Sequence, residues 1–295
     1  MTRLAEIQGH IASMDELLDI VGAMRSLAGM RVQEAQRALP GIRRYADSMA
    51  AGIGASLSLV PQPAPETSAN RGRLVLVLCA SEHGFVGAFN ERLIEAAEAI
   101  LKPADLLFVL GSRGAALASE RGRKVTWTSP MATRLAGAPD AANHLAGELY
   151  ARIVRGEISR VEVMFYRYRQ GVASTIETRL LLPLDTKALA GRQSRLPPLH
   201  NLEPRLLLEK LVDEYVFGLL TEAAVESIAS ENAARLAAMT SAHDNVTKKL
   251  AYLRQTARQA RQSEITAELL DLITGSEAMS NESKPRKARD AGSER

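Results

Sequence analysis

Apolar residues recur along the first forty positions at alternating steps of three and four: Leu4, Ile7, Ile11, Met14, Leu18 and Val21, then Ala28, Val32, Ala35 and Leu39. Such alternation places every member on one stripe of an α-helix, the seam of a coiled coil. Only Arg25 interrupts it. The phase persists beyond Pro40 through Ile42, Ala46, Met49 and Ile53, so the proline reads as a kink or short break within one long arm, residues 1–59. The proline- and alanine-rich run VPQPAPETSAN ends the arm and predicts a linker at 60–72.

A second helical pattern closes the chain. From Arg205 to Gly275 there is no proline, and the only interior glycine is Gly218. A helix over 204–279 would extend roughly 105 Å at 1.5 Å per residue, far beyond the width of a small domain. Its seam runs through Val225, Ala229, Leu236, Met239, Val246, Leu250, Leu253, Ala257 and Ala260, with polar Asn232 and His243 at seam positions, where such residues set register. After Ala260 the phase slips and resumes at Ile265, Leu269 and Leu272, which predicts a change of twist or partner. Two arms with matching seams should pair, antiparallel, because the intervening domain joins the far end of the first to the near end of the second.

Residues 73–185 read differently. Strand patterns at Leu74–Ala80, Leu106–Gly111, Lys124–Thr128, Val161–Tyr168 and Thr175–Leu182 alternate with helix patterns near Asn90–Leu101, Arg113–Arg121 and Asp140–Arg155. Strands such as LVLVLCA and LLFVLG are apolar on both faces, as in a sheet covered by helices on either side. The last two strands lack an intervening helix and should form an antiparallel edge pair. The fold class expected is thus α/β plus coiled coil, with a central open, Rossmann-like domain. A second loop or linker, 186–203, ends that domain, and the polar stretch from Ser280 to Arg295 reads as a disordered, solubilising tail.

The first strand runs into SEHGFVGAFN, which tests for phosphate chemistry. A P-loop requires a lysine followed by Ser or Thr at the helix start, and a dinucleotide loop requires a third glycine. Neither completion follows Gly84 and Gly87. Glu82 lies where an incoming phosphate would sit and opposes it. A structural turn is the better reading, with Gly84 and Gly87 supplying backbone freedom and Asn90 capping the next helix.

Charge and composition narrow the function. Lysine and arginine number 37 against 34 acidic residues, too small an excess for a face built to bind nucleic acid. Cys79 is the sole cysteine, which fits a reducing compartment. The five histidines have no partner at metal-ligand spacing, so neither metal nor cofactor is expected and no catalytic residue is assigned. No apolar run reaches the ~20 residues needed to cross a bilayer, and no secretory signal pattern opens the chain. Any service to a membrane process must therefore run through partners.

Several longer motifs resemble the gamma subunit of F-type rotary ATP synthases. ESIASENAARLAAMTSAHDN, residues 226–245, is similar to that family's Ala-Ser-Glu, Arg-flanking alanine, Ala-Met and Asp-Asn pattern, and RQSEITAELLDLITGSEAM, residues 261–279, to its carboxyl-terminal signature. AMRSLAGMR at 23–31, RRYADSM at 43–49 and the glycine loop itself, as a version of Ser-Asp-Arg-Gly-Leu-Cys-Gly-x-x-Asn, resemble it in order and spacing. Val86 replaces the family's usual cysteine, Gly22 a lysine, Val32 and Gln33 a Met-Arg pair, and Arg258 an asparagine. Those departures suggest a divergent branch, an alternative complex with a different coupling ion included.

The resemblance implies a central-stalk rotor, itself non-catalytic, that couples ion flow through the membrane ring to ATP synthesis or hydrolysis. Its implied partners are the alpha and beta subunits of the head, the epsilon subunit and the membrane c-ring, with the complex peripheral on the cytoplasmic face of the inner membrane. Contacts to the catalytic subunits are assigned to Met24 and Arg31 on the first arm and to Arg261, Gln262, Thr266 and Glu268 on the last. A nucleotide-binding α/β enzyme and a freestanding coiled-coil scaffold are the alternatives.

Overall fold

A computed structural model describes residues 2–60, 73–190 and 199–282. Most of the two expected linkers and the tail beyond Glu282 lie outside the described residues. The elements are α1 (Thr2–Ser56), β1 (Arg73–Cys79), α2 (Phe89–Ile100), β2 (Leu106–Leu110), α3 (Ser112–Glu120), β3 (Val125–Ser129), α4 (Ala138–Val154), β4 (Ile158–Arg167), β5 (Thr175–Leu182), α5 (Thr186–Ala190) and α6 (Pro204–Glu282). The chain divides into two compact units, Met1–Gly22 with Ser241–Arg295, and Ala23–Thr240.

In the unit Ala23–Thr240 the strands form one sheet in the order β3-β2-β1-β4-β5. The first four run parallel and β5 pairs antiparallel with β4 at the edge. Period-two alternation sends successive residues of β1 to opposite faces. Val75, Val77 and Cys79 join a core with Leu145 and Leu149 of α4, Ala35 and Leu39 of α1, and Val216 and Leu220 of α6. Leu76 and Leu78 join Leu93 and Ile94 of α2 and Ala118 of α3 on the other face. Both faces of the strand are covered, which explains its unbroken apolar run.

The helices α1 and α6 run antiparallel within this unit. Arg43 bonds Glu222 and Glu226, Tyr45 donates to Glu214, and Gly52 faces Leu211, so rising numbers on one helix meet falling numbers on the other. The expected seam of α1 is buried at Ala28, Val32, Ala35, Leu39, Ala46 and Ile53. The helix continues through Pro40, whose ring is exposed, with no break in its assignment. In the unit Met1–Gly22 with Ser241–Arg295, Val21, Leu250 and Leu253 are buried, and Arg254 Nη2 donates to both oxygens of Asp15 at 2.9 and 3.1 Å.

Three local expectations change. The stretch read as a loop after β5 begins with a helix, α5, because Leu189 buries itself against Ala50 and Ile53 of α1. Helix α6 runs to Glu282, a few residues into the expected tail. Asn232 does not set register across the arms: its amide donates to the Ile228 carbonyl and accepts from Arg235, within its own helix.

Candidate functional site

In an open parallel sheet the ligand crevice lies beyond the carboxyl ends of the strands, where the connections diverge to either side. Here that point falls between β1 and β4, since α2 leads from β1 to β2 on one flank while β4 pairs on the other. Helix α6 occupies it. Ser227 Oγ donates to the Cys79 carbonyl at the end of β1 at 2.6 Å, and Ser230 Oγ to the Tyr166 carbonyl of β4 at 3.2 Å. Glu226, fully buried, accepts the Tyr168 N–H at 2.8 Å. Small and acidic side chains of the helix thus satisfy the strand ends that a nucleotide would otherwise reach.

The loop between β1 and α2 is held from three sides. The Glu82 carboxylate accepts from the Ser112 N–H at 3.0 Å and the Ser112 hydroxyl at 2.7 Å, both at the start of α3, and from the Met131 N–H at 2.8 Å. Burial would raise this carboxyl, but the donors from Ser112 and Met131 hold it below its ordinary value. The chain's own carboxylate therefore fills the anion position at the α3 amino terminus. Arg235 of α6, itself buried, donates to the carbonyls of Gly84 at 3.2 Å and His83 at 3.5 Å and pairs with Glu231 at 2.6 Å. Burial pushes the Glu231 carboxyl up, against the opposing charge of Arg235.

The turn itself departs from expectation in two respects. Positive φ falls at Phe85 (62°) and Gly87 (56°), so Gly87 supplies conformational freedom and Gly84 does not. Asn90 is not a cap: α2 starts at Phe89 after Ala88, which makes no side-chain cap bond, and Asn90 lies inside the first turn. Its buried amide instead accepts the Ser81 N–H at 3.0 Å and donates to Ser81 Oγ at 2.7 Å, closing the loop on its own start.

The six assigned contact residues fall into two groups. Met24 and Arg31 lie seven residues apart on one face of α1 in the unit Ala23–Thr240, both half-buried. Arg261, Gln262, Thr266 and Glu268 are exposed on successive turns of α6 in the other unit, with Thr266 Oγ1 donating to the Gln262 carbonyl at 2.9 Å. Nearby Ile265, Leu269 and Leu272, where the seam slips, are 50, 55 and 70% exposed. Among the described residues, no helix is long and apolar enough to cross a membrane.

Comparison with known proteins decides what this architecture belongs to. The family profile described as ATP synthase matches residues 3–279. The chain belongs to the gamma-subunit family of F-type ATP synthases. It is 26% identical over 291 residues to the ATP synthase gamma chain of Prosthecochloris aestuarii, covering 95% of this chain and 99% of the relative. To the gamma chain of Streptomyces avermitilis it is 29% identical over 288 residues, covering 92% and 94%. Among solved structures, a chain of the Euglena gracilis mitochondrial ATP synthase, OSCP/F1/c-ring, superposes with a TM-score of 0.66 at 14% identity, covering 98% of this chain and 99% of that one. A chain of the Tetrahymena thermophila central stalk and c-ring gives 0.54 at 18% identity, covering 76% and 99%. These structural likenesses carry the fold of the ATP synthase gamma family.

Sequence reasoning missed the residues that join the arms to the sheet: Arg43, Arg179, Glu222, Glu226 and Arg235. A signal was present. Neither Glu222 nor Glu226 has a basic residue three or four positions away on its own helix, so a buried stretch of α6 carried carboxylates that only other elements could satisfy.

Proposed function

We infer that this chain is the central-stalk rotor subunit of an F-type ATP synthase, coupling ion flow through the membrane ring to ATP synthesis or hydrolysis in the head. The observation that carries this reading is the profile match from residue 3 to residue 279, which spans both arms and the sheet domain in one order. The subunit itself is non-catalytic: it makes no bond to ATP and works by contact. A stalk presenting different sides to successive catalytic sites shifts their nucleotide affinities in turn, and the coupling is the difference in contact energy between those states.

The partners are the alpha and beta subunits, the epsilon subunit and the c-ring, and the complex lies on the cytoplasmic face of the inner membrane with this subunit peripheral. Met24, Arg31, Arg261, Gln262, Thr266 and Glu268 touch the catalytic subunits. Support for the α6 group comes from the apolar positions beside it, Ile265, Leu269 and Leu272, which are exposed among the described residues. Domain limits of 1–59, 73–185 and 204–279 serve as arm, foot and arm. Neither alternative gains from the geometry: α6 and Glu82 fill the crevice a nucleotide enzyme would need, and a freestanding scaffold needs no such family-wide sheet domain. Co-expression with the alpha and beta subunits tests the reading. A stable complex containing one copy of this chain is expected, and recovery of alpha and beta without it would overturn the assignment.

A further inference from the structure

Six charged side chains of the unit Ala23–Thr240 converge where four elements meet. Arg43 of α1, Arg167 of β4 and Arg179 of β5 face Glu177 of β5 and Glu222 and Glu226 of α6. Arg43 Nε donates to Glu222 at 3.0 Å and its Nη2 to Glu226. Arg179 Nη1 reaches the other oxygen of Glu222 at 2.6 Å, and its Nη2 reaches Glu177 at 3.1 Å. Arg167 pairs with Glu177 at 2.6 Å and stands 3.9 Å from Glu222. Glu226 completes the set by accepting the backbone N–H of Tyr168.

A cleft of ≈ 340 Å³ opens beside these arginines. It has no surplus positive charge for an anion, since the three arginines face four carboxylates, Asp47, Glu177, Glu222 and Glu226. The arrangement has another consequence. Apolar packing between α6 and the sheet is non-directional and resists separation better than sliding. Directional bonds add resistance to twist: Glu222 is shared by a residue of α1 and a residue of β5, and Glu226 by α1 and Tyr168, the residue that follows β4. Any rotation of the arms against the sheet must break several of these together. Burial alone would raise the Glu222 carboxyl, but the hydrogen bonds and charges of Arg179 and Arg43 hold it below its ordinary value, so it stays ionised for both.

We propose that this arginine–glutamate cluster is the torsional joint that makes the sheet domain turn with the arms, with Arg43, Arg179, Glu222 and Glu226 as positioning residues for energy coupling. The proposal rests on the rotor reading and identifies where its torque passes between shaft and foot. An unloaded rotor needs little of this stiffness; a rotor driven through its foot needs all of it.

The test uses the complete complex, with its alpha, beta, epsilon and membrane-ring subunits, in lipid vesicles. ATP hydrolysis is compared with ATP synthesis driven by imposed proton and sodium gradients for wild type, Glu222→Gln, Arg179→Met, Arg179→Lys and the exchanged pair Glu222→Arg with Arg179→Glu. Glu222→Gln and Arg179→Met should leave hydrolysis within about twofold of wild type while synthesis falls about fivefold or more, the range of a lost coupling energy. Arg179→Lys and the exchanged pair should recover part of the synthesis. An unchanged ratio of synthesis to hydrolysis in both single variants would overturn the proposal, as would a parallel fall in both activities with less complex recovered, which would make the cluster a folding element only. A wild-type chain that forms no complex would remove the rotor reading itself, a distinct result.

Discussion

Ser227 on the last helix donates its hydroxyl to the carbonyl of Cys79 at the end of the first strand, 2.6 Å across 148 positions of chain. Both groups are buried, so the bond has no aqueous substitute. Ser227→Ala should destabilise the chain by about 1–2 kcal/mol, the cost of leaving a buried carbonyl without a donor. Urea unfolding should show a lower midpoint with an unchanged slope. A midpoint equal to wild type would mean that the strand end finds another donor and that α6 does not seal the crevice.

The same sealing predicts silence towards nucleotides. Because Glu82 already accepts the donors at the α3 amino terminus, titration with ATP or NAD should release no heat. Glu82→Ala leaves the Ser112 and Met131 N–H groups unpaired and should cost about 1–2 kcal/mol, at the low end because the carboxylate is half-exposed. The pH dependence follows from direction. Glu82 and Glu222 both have lowered folded values, so their stabilisation is complete above the unfolded carboxyl value of about 4.3 and is lost as pH falls from there through the folded value. The stability gap between wild type and Glu82→Gln should stay constant from pH 7 to 5 and close below pH 4. A gap that widens on acidification would reverse the assigned direction.

How much of this was legible beforehand depends on the physical range of each signal. The strands and arms could be read because their burial repeats with a local period: the α1 seam is buried at Ala28, Val32 and Ala35, and β1 is apolar on both faces. Among the described residues, the local pattern locates each strand and each longer helix to within a few residues, whereas α5 is a short helix held by long-range packing of Leu189 against Ala50 and Ile53. Cap preference is local and points Asn90 to the helix start, whereas its partner Ser81 is set by the loop's path. The joint at Glu222 was invisible for the opposite reason, since its arginines come from three other elements and spacing within α6 says nothing of them.

The contact residues proposed on α6 can be separated from the fold by their exposure. Gln262 and Glu268 are exposed, so alanine at either position should change the chain's own stability by less than about 0.5 kcal/mol. Turnover of ATP by the assembled complex should nonetheless fall, with subunit recovery unchanged. Steady-state hydrolysis beside a quantified gel of the complex checks both. Wild-type turnover in both variants would show that the contacts lie elsewhere on the stalk.

Three helical glycines divide by what surrounds them. A methyl added to Gly147 in α4 would meet nothing within 4 Å, so Gly147→Ala should stabilise by about 0.5–1 kcal/mol through helix propensity alone. Gly114 is the opposite case, because its added methyl would overlap the Ala80 Cβ, and Gly114→Ala should cost about 1–3 kcal/mol as α3 is forced from the sheet. Gly218 on α6 is the informative one. A methyl there would stand 3.2 Å from Tyr45 Cδ1 and 3.3 Å from Ala46 Cβ. Neither neighbour yields easily, since Tyr45 is tied to Glu214 and Ala46 is buried helix. The propensity gain of about 1 kcal/mol is then offset by separating the arms, and Gly218→Ala should come out neutral to destabilising, with Gly218→Leu losing about 3 kcal/mol or more. Denaturation midpoints of the three alanine variants should therefore rank Gly147 above wild type and Gly114 below it. A Gly218→Ala midpoint as high as that of Gly147→Ala would mean that the arms can part here without cost.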